Sequence, residues 1–299
     1  MRDLVTLMLI TIALAWCADH VAFGPVKHNR RQRLIVCTVV IIILLAGFAG
    51  LRTHCNDTVT YRYSYKLLTE KLWEASDKSI GSNPLFNWVN YRLKMHGVST
   101  QNFLMFWAFL TVGCYLIFVH KYSVNFPLSV FLLFTTGCYT FAFAGIKQAA
   151  AVGISVIATM FALKKKWLLF AVGILIATLI HPYSLMYLAV PFMTFKPWTK
   201  ITYWMLAAFI AAGFLLRPLL GTVVNITTLL GEEYTVSSFT GDGVNMFRVL
   251  VCNVPMVLSF LYRKKLFADS SEAENLAMNL TMLNGAIMFD GLFGTANYF

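Results

Sequence analysis

Acidic residues are scarce in this sequence. Asp and Glu total 13 against 24 Lys and Arg, and charge of either sign makes up only 12% of the 299 residues. So little charge cannot clothe a soluble surface of this size. Other signals are missing too. There is no Walker loop, GxGxxG or HExxH, which removes the common signatures of nucleotide, dinucleotide and zinc-peptidase sites. No DxD or DxN pair stands out, so metal independence is expected. The six cysteines, Cys17, Cys37, Cys55, Cys114, Cys138 and Cys252, show no CxxC or Cys/His spacing. They read as neither a zinc site nor a disulfide framework. Residues 4–23 lack a basic leader and an A-x-A site, and so read as a retained helix. Repeats and low-complexity segments are absent.

Hydrocarbon is what remains: 59% of the chain is hydrophobic. The tract 126–195 is interrupted only at Gly145 to Gln148, Lys164 to Lys166 and Ile180 to Tyr183. Such a chain belongs in a bilayer, whose hydrocarbon core is about 30 Å thick. The expectation is an all-α polytopic membrane protein forming one transmembrane domain over 1–299. About ten spans are read, at 4–23, 34–50, 102–119, 126–143, 148–163, 167–180, 184–195, 201–217, 246–262 and 276–293. A net charge of +11 would suggest nucleic acid in a soluble protein. Here much of it falls in alternate short loops, at Lys27 to Arg33, Lys121, Lys164 to Lys166, Lys196 to Lys200 and Arg263 to Lys265. The positive-inside rule assigns those loops to the cytoplasm and leaves no nucleic-acid partner to invoke. The 51–101 loop, the 218–245 loop and the last residues then face outward. Within the first of these, Pro84 to Met95 has apolar residues at helical spacing and reads as an interfacial amphipathic helix or a plain soluble one.

Two spans are short. From Gln148 to Leu163 the chain rises roughly 24 Å at 1.5 Å per residue, which leaves Lys147 below the outer surface. The segment 167–180 leaves His181 similarly deep, with Pro182 helping to break the helix. Ionisable groups at such depth are functional candidates by default. The full set at outer helix ends is Arg52, Asp57, Lys147, His181, Arg217 and Arg248, with Asp290 deeper in the last span. Several cations and few anions suit a polyanion such as a lipid diphosphate. An added imidazole or carboxylate suits general-base work on a hydroxyl. Each residue also has a structural reading. Arg52, Lys147, Arg217 and Arg248 can snorkel to the interface, Asp57 can cap a helix, and His181 can bond a carbonyl freed by the proline.

One set of motifs goes further: GLR (Gly50 to Arg52) with Asp57, Tyr61 and Tyr65, NPLFNWVN (Asn83 to Asn90), GIKQ with Ala151 (Gly145 to Gln148), and LIHPYS (Leu179 to Ser184). In this order they resemble the EpsG family of bacterial exopolysaccharide proteins, over about residues 45–195. Asn56 stands where the family usually has Gly, and Lys147 where it has Arg. The family's Arg near a terminal Tyr-Phe has no counterpart in Gly294 to Phe299, and family members usually continue further, so an early C-terminus is expected. The resemblance implies a Wzy-like polymerase with a GT-C-like bundle in the bacterial cytoplasmic membrane, working at the outer face. It would join undecaprenyl-diphosphate-linked repeat units, without cofactor, among membrane lipid and possible other assembly proteins. Arg52, Lys147, Arg248 and Arg217 would bind diphosphate, Gln148 and Tyr61 would contact substrate, and His181 or Asp57 would take the proton. A flippase would show paired inverted repeats, which are not evident. An O-acyltransferase would favour a histidine near the cytoplasmic side.

Overall fold

Prolines, glycines and lysines cut the hydrocarbon tract into helices, because each ends or bends the i→i−4 ladder or anchors an end in water. The computed structural model describes residues 2–20, 30–68, 83–229 and 244–293, and these contain helix and turn but no strand. Two helices are long and apolar enough to cross a membrane, Arg2–His20 and Thr100–Tyr122, and a bent pair, Phe126–Thr135 with Cys138–Ala144, makes a third if counted as one span. Shorter apolar helices accompany them.

The chain divides into two compact units, Met1–Tyr187 and Leu188–Phe299. The first contains α1 (Arg2–His20), α2 (Arg30–Gly50), α3 (Thr58–Leu67), α4 (Pro84–Met95), α5 (Thr100–Tyr122), α6 (Phe126–Thr135), α7 (Cys138–Ala144), α8 (Ile146–Ala162) and α9 (Trp167–Ile180). Packing runs in series: α1 lies on α2 and α6, α2 on α5, α5 on α8, α8 on α9, and α9 on α4. Small residues let these backbones approach, as membrane helices require. A Cβ on Gly50 would lie 2.8 Å from the Met105 Cα, and one on Gly173 would lie 2.7 Å from the Ala158 Cβ. Hydroxyls inside the bundle fold back onto their own helix, Thr11 to the Leu7 carbonyl at 2.9 Å and Ser155 to that of Ala151 at 2.8 Å. This keeps polar atoms satisfied where water is excluded.

The two ends of this unit differ in chemistry. At one end the Thr38 hydroxyl bonds the His120 ring at 2.9 Å, and the Lys121 and Lys164 amines lie side by side. At the other end α2 finishes, α5 begins, α8 begins and α9 finishes. That end carries α3 and α4.

The second unit holds α10 (Lys200–Leu229), α11 (Met246–Leu261), α12 (Arg263–Leu266) and α13 (Glu272–Asp290). Both α10 and α11 pack on α13. A capping box opens α13: Ser271 and Glu274 each satisfy the other's backbone N–H. Three carbonyls ahead of α10 are tied to α13 by amides. Asn279 Nδ2 donates to Met193 and Phe195 at 2.7 and 2.8 Å, and Asn275 Nδ2 donates to Thr194 at 3.3 Å.

Several sequence expectations change. The span expected at 126–143 is broken at Thr136 and Gly137, where Gly137 takes a φ of 82° and the two halves bend by 43°. The segment expected as a span at 184–195 is a 3-10 helix, Pro182–Met193, with Pro191 inside it. Pro218 does not end its helix: α10 continues to Leu229 and takes in part of the stretch read as an outer loop. The 51–101 loop carries α3 as well as the expected helix over Pro84–Met95. That helix buries Phe86 and Asn90, and the Asn90 carbonyl accepts the Trp107 indole N–H at 2.9 Å. Trp88 on its other face is half exposed.

Candidate functional site

Gly145 separates α7 from α8, and its lack of a side chain leaves room for a neighbour. A Cβ there would meet the Gln148 Oε1 at 2.7 Å, so Gln148 folds back over the helix start. Lys147 is the second residue of α8 and is half-buried. The first N–H groups of a helix have no partner within it, and together they carry about half a positive charge. A cation is disfavoured at that point, and an anion is favoured. Lys147 therefore adds a full charge to an end that is already positive.

The start of α8 is also recessed. The Tyr115 hydroxyl donates to the Ala149 carbonyl at 3.3 Å, and Gly153 faces the Cys114 side chain. These contacts fix the level of α8 against α5. With Gly153 level with Cys114, α8 begins some seven residues short of the Thr100 level, roughly 10 Å at 1.5 Å per residue.

Arg52 follows the end of α2 and is held from three sides. Its Nη1 donates to the Ala49 carbonyl, and its Nε donates to the Thr58 hydroxyl at 2.9 Å. Its guanidinium lies 5.6 Å from the centre of the Phe143 ring, two residues before Gly145. Burial pushes the Arg52 pKa below the ordinary arginine value. Thr58 is fully buried as the first residue of α3. Asp57, just before it, stands at the N-cap position, but its side chain makes no cap bond and its carboxylate is exposed. The turn leading there is strained: Cys55 and Asn56 have φ values of 120° and 39°, which non-glycine residues seldom adopt.

His181 ends α9. Its N–H donates to the Ala177 carbonyl at 2.8 Å, and its own carbonyl accepts from Ser184 at 3.1 Å. The side chain is only 3% exposed, with its ring 5.1 Å from that of Tyr183. The imidazole is thus enclosed by protein. One apolar cluster holds Ile146, Ile180, Phe86 and Trp107, with Tyr61 packed against it. The Tyr61 ring meets Phe86 edge-on at 5.9 Å. This cluster brings the start of α8, the end of α9 and the outer helices α3 and α4 to one end. Arg52, Asp57, Tyr61, Lys147, Gln148 and His181 all belong to that end of the first unit.

The remaining candidates lie in the second unit. Arg217 precedes Pro218 in α10, and its side chain falls outside the described residues. Arg248 is exposed in the first turn of α11. Asp290 is buried and is the last residue of α13, so it sits at a helix end and not mid-span. Its carboxylate presses on Gly213, where no Cβ could fit. Residues 69–82 of the 51–101 loop, most of 218–245 beyond Leu229, and the 294–299 stretch lie outside the described residues.

Sequence reasoning did not single out Thr58, Phe143, Gln101 or Arg62. Gln101 Nε2 donates to the Gly50 carbonyl, and Gln101 Oε1 accepts from Arg62 Nη1 at 2.9 Å. Only Thr58 and Arg62 left a trace, a spacing of four that puts them on one face of a helix. Among the described residues no three His, Cys, Asp or Glu side chains gather as metal ligands would.

The model of the EpsG family matches residues 34–296. The chain belongs to the EpsG family. The match takes in every candidate residue in both units. No curated protein and no solved structure matches the chain. Membership in the EpsG family and the apolar helices together make this an integral membrane protein of polysaccharide biosynthesis.

Proposed function

We propose that this EpsG-family protein is a Wzy-like polysaccharide polymerase of GT-C-like architecture in the bacterial cytoplasmic membrane, with its site facing outward. The observation that carries the reading is Lys147 at the recessed start of α8, where helix dipole and side chain add charge of the same sign. A diphosphate is the counter-charge that such an end suits. Arg52, bonded to neutral oxygens beside Phe143, supports it.

The donor is a growing glycan on undecaprenyl diphosphate. The acceptor is a lipid-linked repeat unit. An acceptor hydroxyl attacks the anomeric carbon of the donor, the bond from that carbon to the diphosphate oxygen breaks, and free lipid diphosphate leaves. Arg52 and Lys147 stabilise the charge that develops on the leaving oxygen. His181 or Asp57 accepts the hydroxyl proton. Gln148 and Tyr61 contact the substrate, and the apolar helices accommodate the polyprenyl tails.

Reconstitution with a synthetic lipid-diphosphate repeat unit tests the proposal. A ladder of products with matching release of lipid diphosphate is expected. Transbilayer movement of the substrate with no ladder would establish the flippase reading instead.

A further inference from the structure

Ala49 and Gly50 end α2, and terminal carbonyls such as theirs attract donors. Two side chains take them. Arg52 donates to the Ala49 carbonyl, and Gln101 donates to that of Gly50. Gln101 then offers its amide oxygen to Arg62 at 2.9 Å. The second bond of Arg52 goes to Thr58 at 2.9 Å. Thr58 and Arg62 are four apart in α3, so they share a face roughly 5–6 Å apart. Two half-buried guanidiniums are therefore tied to one face of α3 and to two successive carbonyls of α2, Arg52 directly and Arg62 through Gln101.

An arginine carries five N–H donors. Among the described residues, the hydrogen bonds of both guanidiniums go to neutral oxygens and leave most donors of Arg62 uncommitted. Like charges anchored to the same helix end repel, and partial burial weakens the screening that water would give. A shared anion with several oxygens relieves the repulsion and fills the remaining donors, because guanidinium forks match phosphate oxygens in pairs.

The geometry points to Arg62 as the second arm of a two-arginine clamp, with Arg52, for a diphosphate group. Gln101 is the positioning residue that sets its reach. This deepens the proposed function, on which it rests, by adding a cation from α3 to Arg52 and Lys147, on an amide anchor that contributes no charge of its own.

The test is binding of farnesyl diphosphate and of inorganic pyrophosphate to the purified full-length chain in detergent, beside polymer formation. Wild type should bind farnesyl diphosphate. Arg62→Ala and Arg52→Ala should each weaken it about tenfold, as loss of a charge-assisted bond predicts, while Arg62→Lys falls between. Gln101→Glu keeps the anchor's shape but places a carboxylate against Arg62, and should weaken binding as Arg62→Ala does. Farnesyl diphosphate binding tighter than pyrophosphate assigns the clamp to a lipid-linked group; equal binding assigns it to the free ion. Wild-type affinity in both Arg62→Ala and Gln101→Glu overturns the clamp and makes Arg62 a latch on α3. So does a wild-type chain that binds neither probe. Binding that depends on Arg62 in a chain that never polymerises would keep the clamp and remove the polymerase reading. Normal polymer with Arg62-independent binding would do the reverse.

Discussion

The Arg52 Nε donates to the hydroxyl of Thr58 at 2.9 Å, so the loop cation after α2 is aimed by the first residue of α3. Thr58→Val keeps the volume of this fully buried residue and removes the bond. A hydrogen bond donated by a charged guanidinium is worth about 1.5–3 kcal/mol, so KM for the lipid-linked donor should rise about ten- to 150-fold with the fold retained. Arg52→Ala should abolish the ladder. Equal KM in Thr58→Val and wild type would detach Thr58 from the site.

Lys147→Ala should remove polymerisation while leaving membrane insertion and expression unchanged. Lys147→Arg should retain a part, because arginine also binds phosphate oxygens. Product ladders at matched protein levels decide. A normal ladder from Lys147→Ala would free Lys147 from its diphosphate role.

His181 and Asp57 contrast in setting, one enclosed by protein and the other exposed at the start of α3. If His181 is the base, His181→Gln should bind lipid-linked substrate normally and lose about 10²- to 10⁴-fold in turnover. Asp57→Asn should then turn over within a few-fold of wild type. The opposite pattern gives the role to Asp57. Binding and saturated turnover, measured separately, distinguish base from binding residue.

Orientation is testable with a native thiol. Cys55 is exposed at the Arg52 end of the first unit. In a chain keeping Cys55 as its sole cysteine, an impermeant maleimide added to intact cells should label it. Lys165→Cys in a cysteine-free chain should stay unlabelled until the membrane is opened. The reverse result would turn the proposed site toward the cytoplasm.

Much of the site was legible because breaks in a hydrophobic run are visible in one dimension. Gly145 and Pro182 mark where α8 begins and α9 ends, so Lys147 and His181 stood out directly. The same reasoning failed where the break was gentle or the helix unusual. Pro218 is carried inside a helix, since membrane helices can satisfy the freed carbonyl locally. The 3-10 helix over Pro182–Met193 has the composition of an α-helical span, and hydropathy does not distinguish the two windings. Arg62 escaped notice because its importance rests on Gln101, 39 residues away in sequence. Asn56 was read only as a departure from the family's glycine; its φ of 39° gives that glycine a backbone reason.

The amides of Asn279 and Asn275 also impose a timetable. They serve carbonyls 81 to 86 residues earlier in the chain. At about 5–20 residues per second, a ribosome needs roughly 4–17 s to travel that far. Until α13 is made, Met193, Thr194 and Phe195 await the partners it brings. The second unit therefore closes late, and a ribosome stalled before residue 275 leaves its entry segment untied.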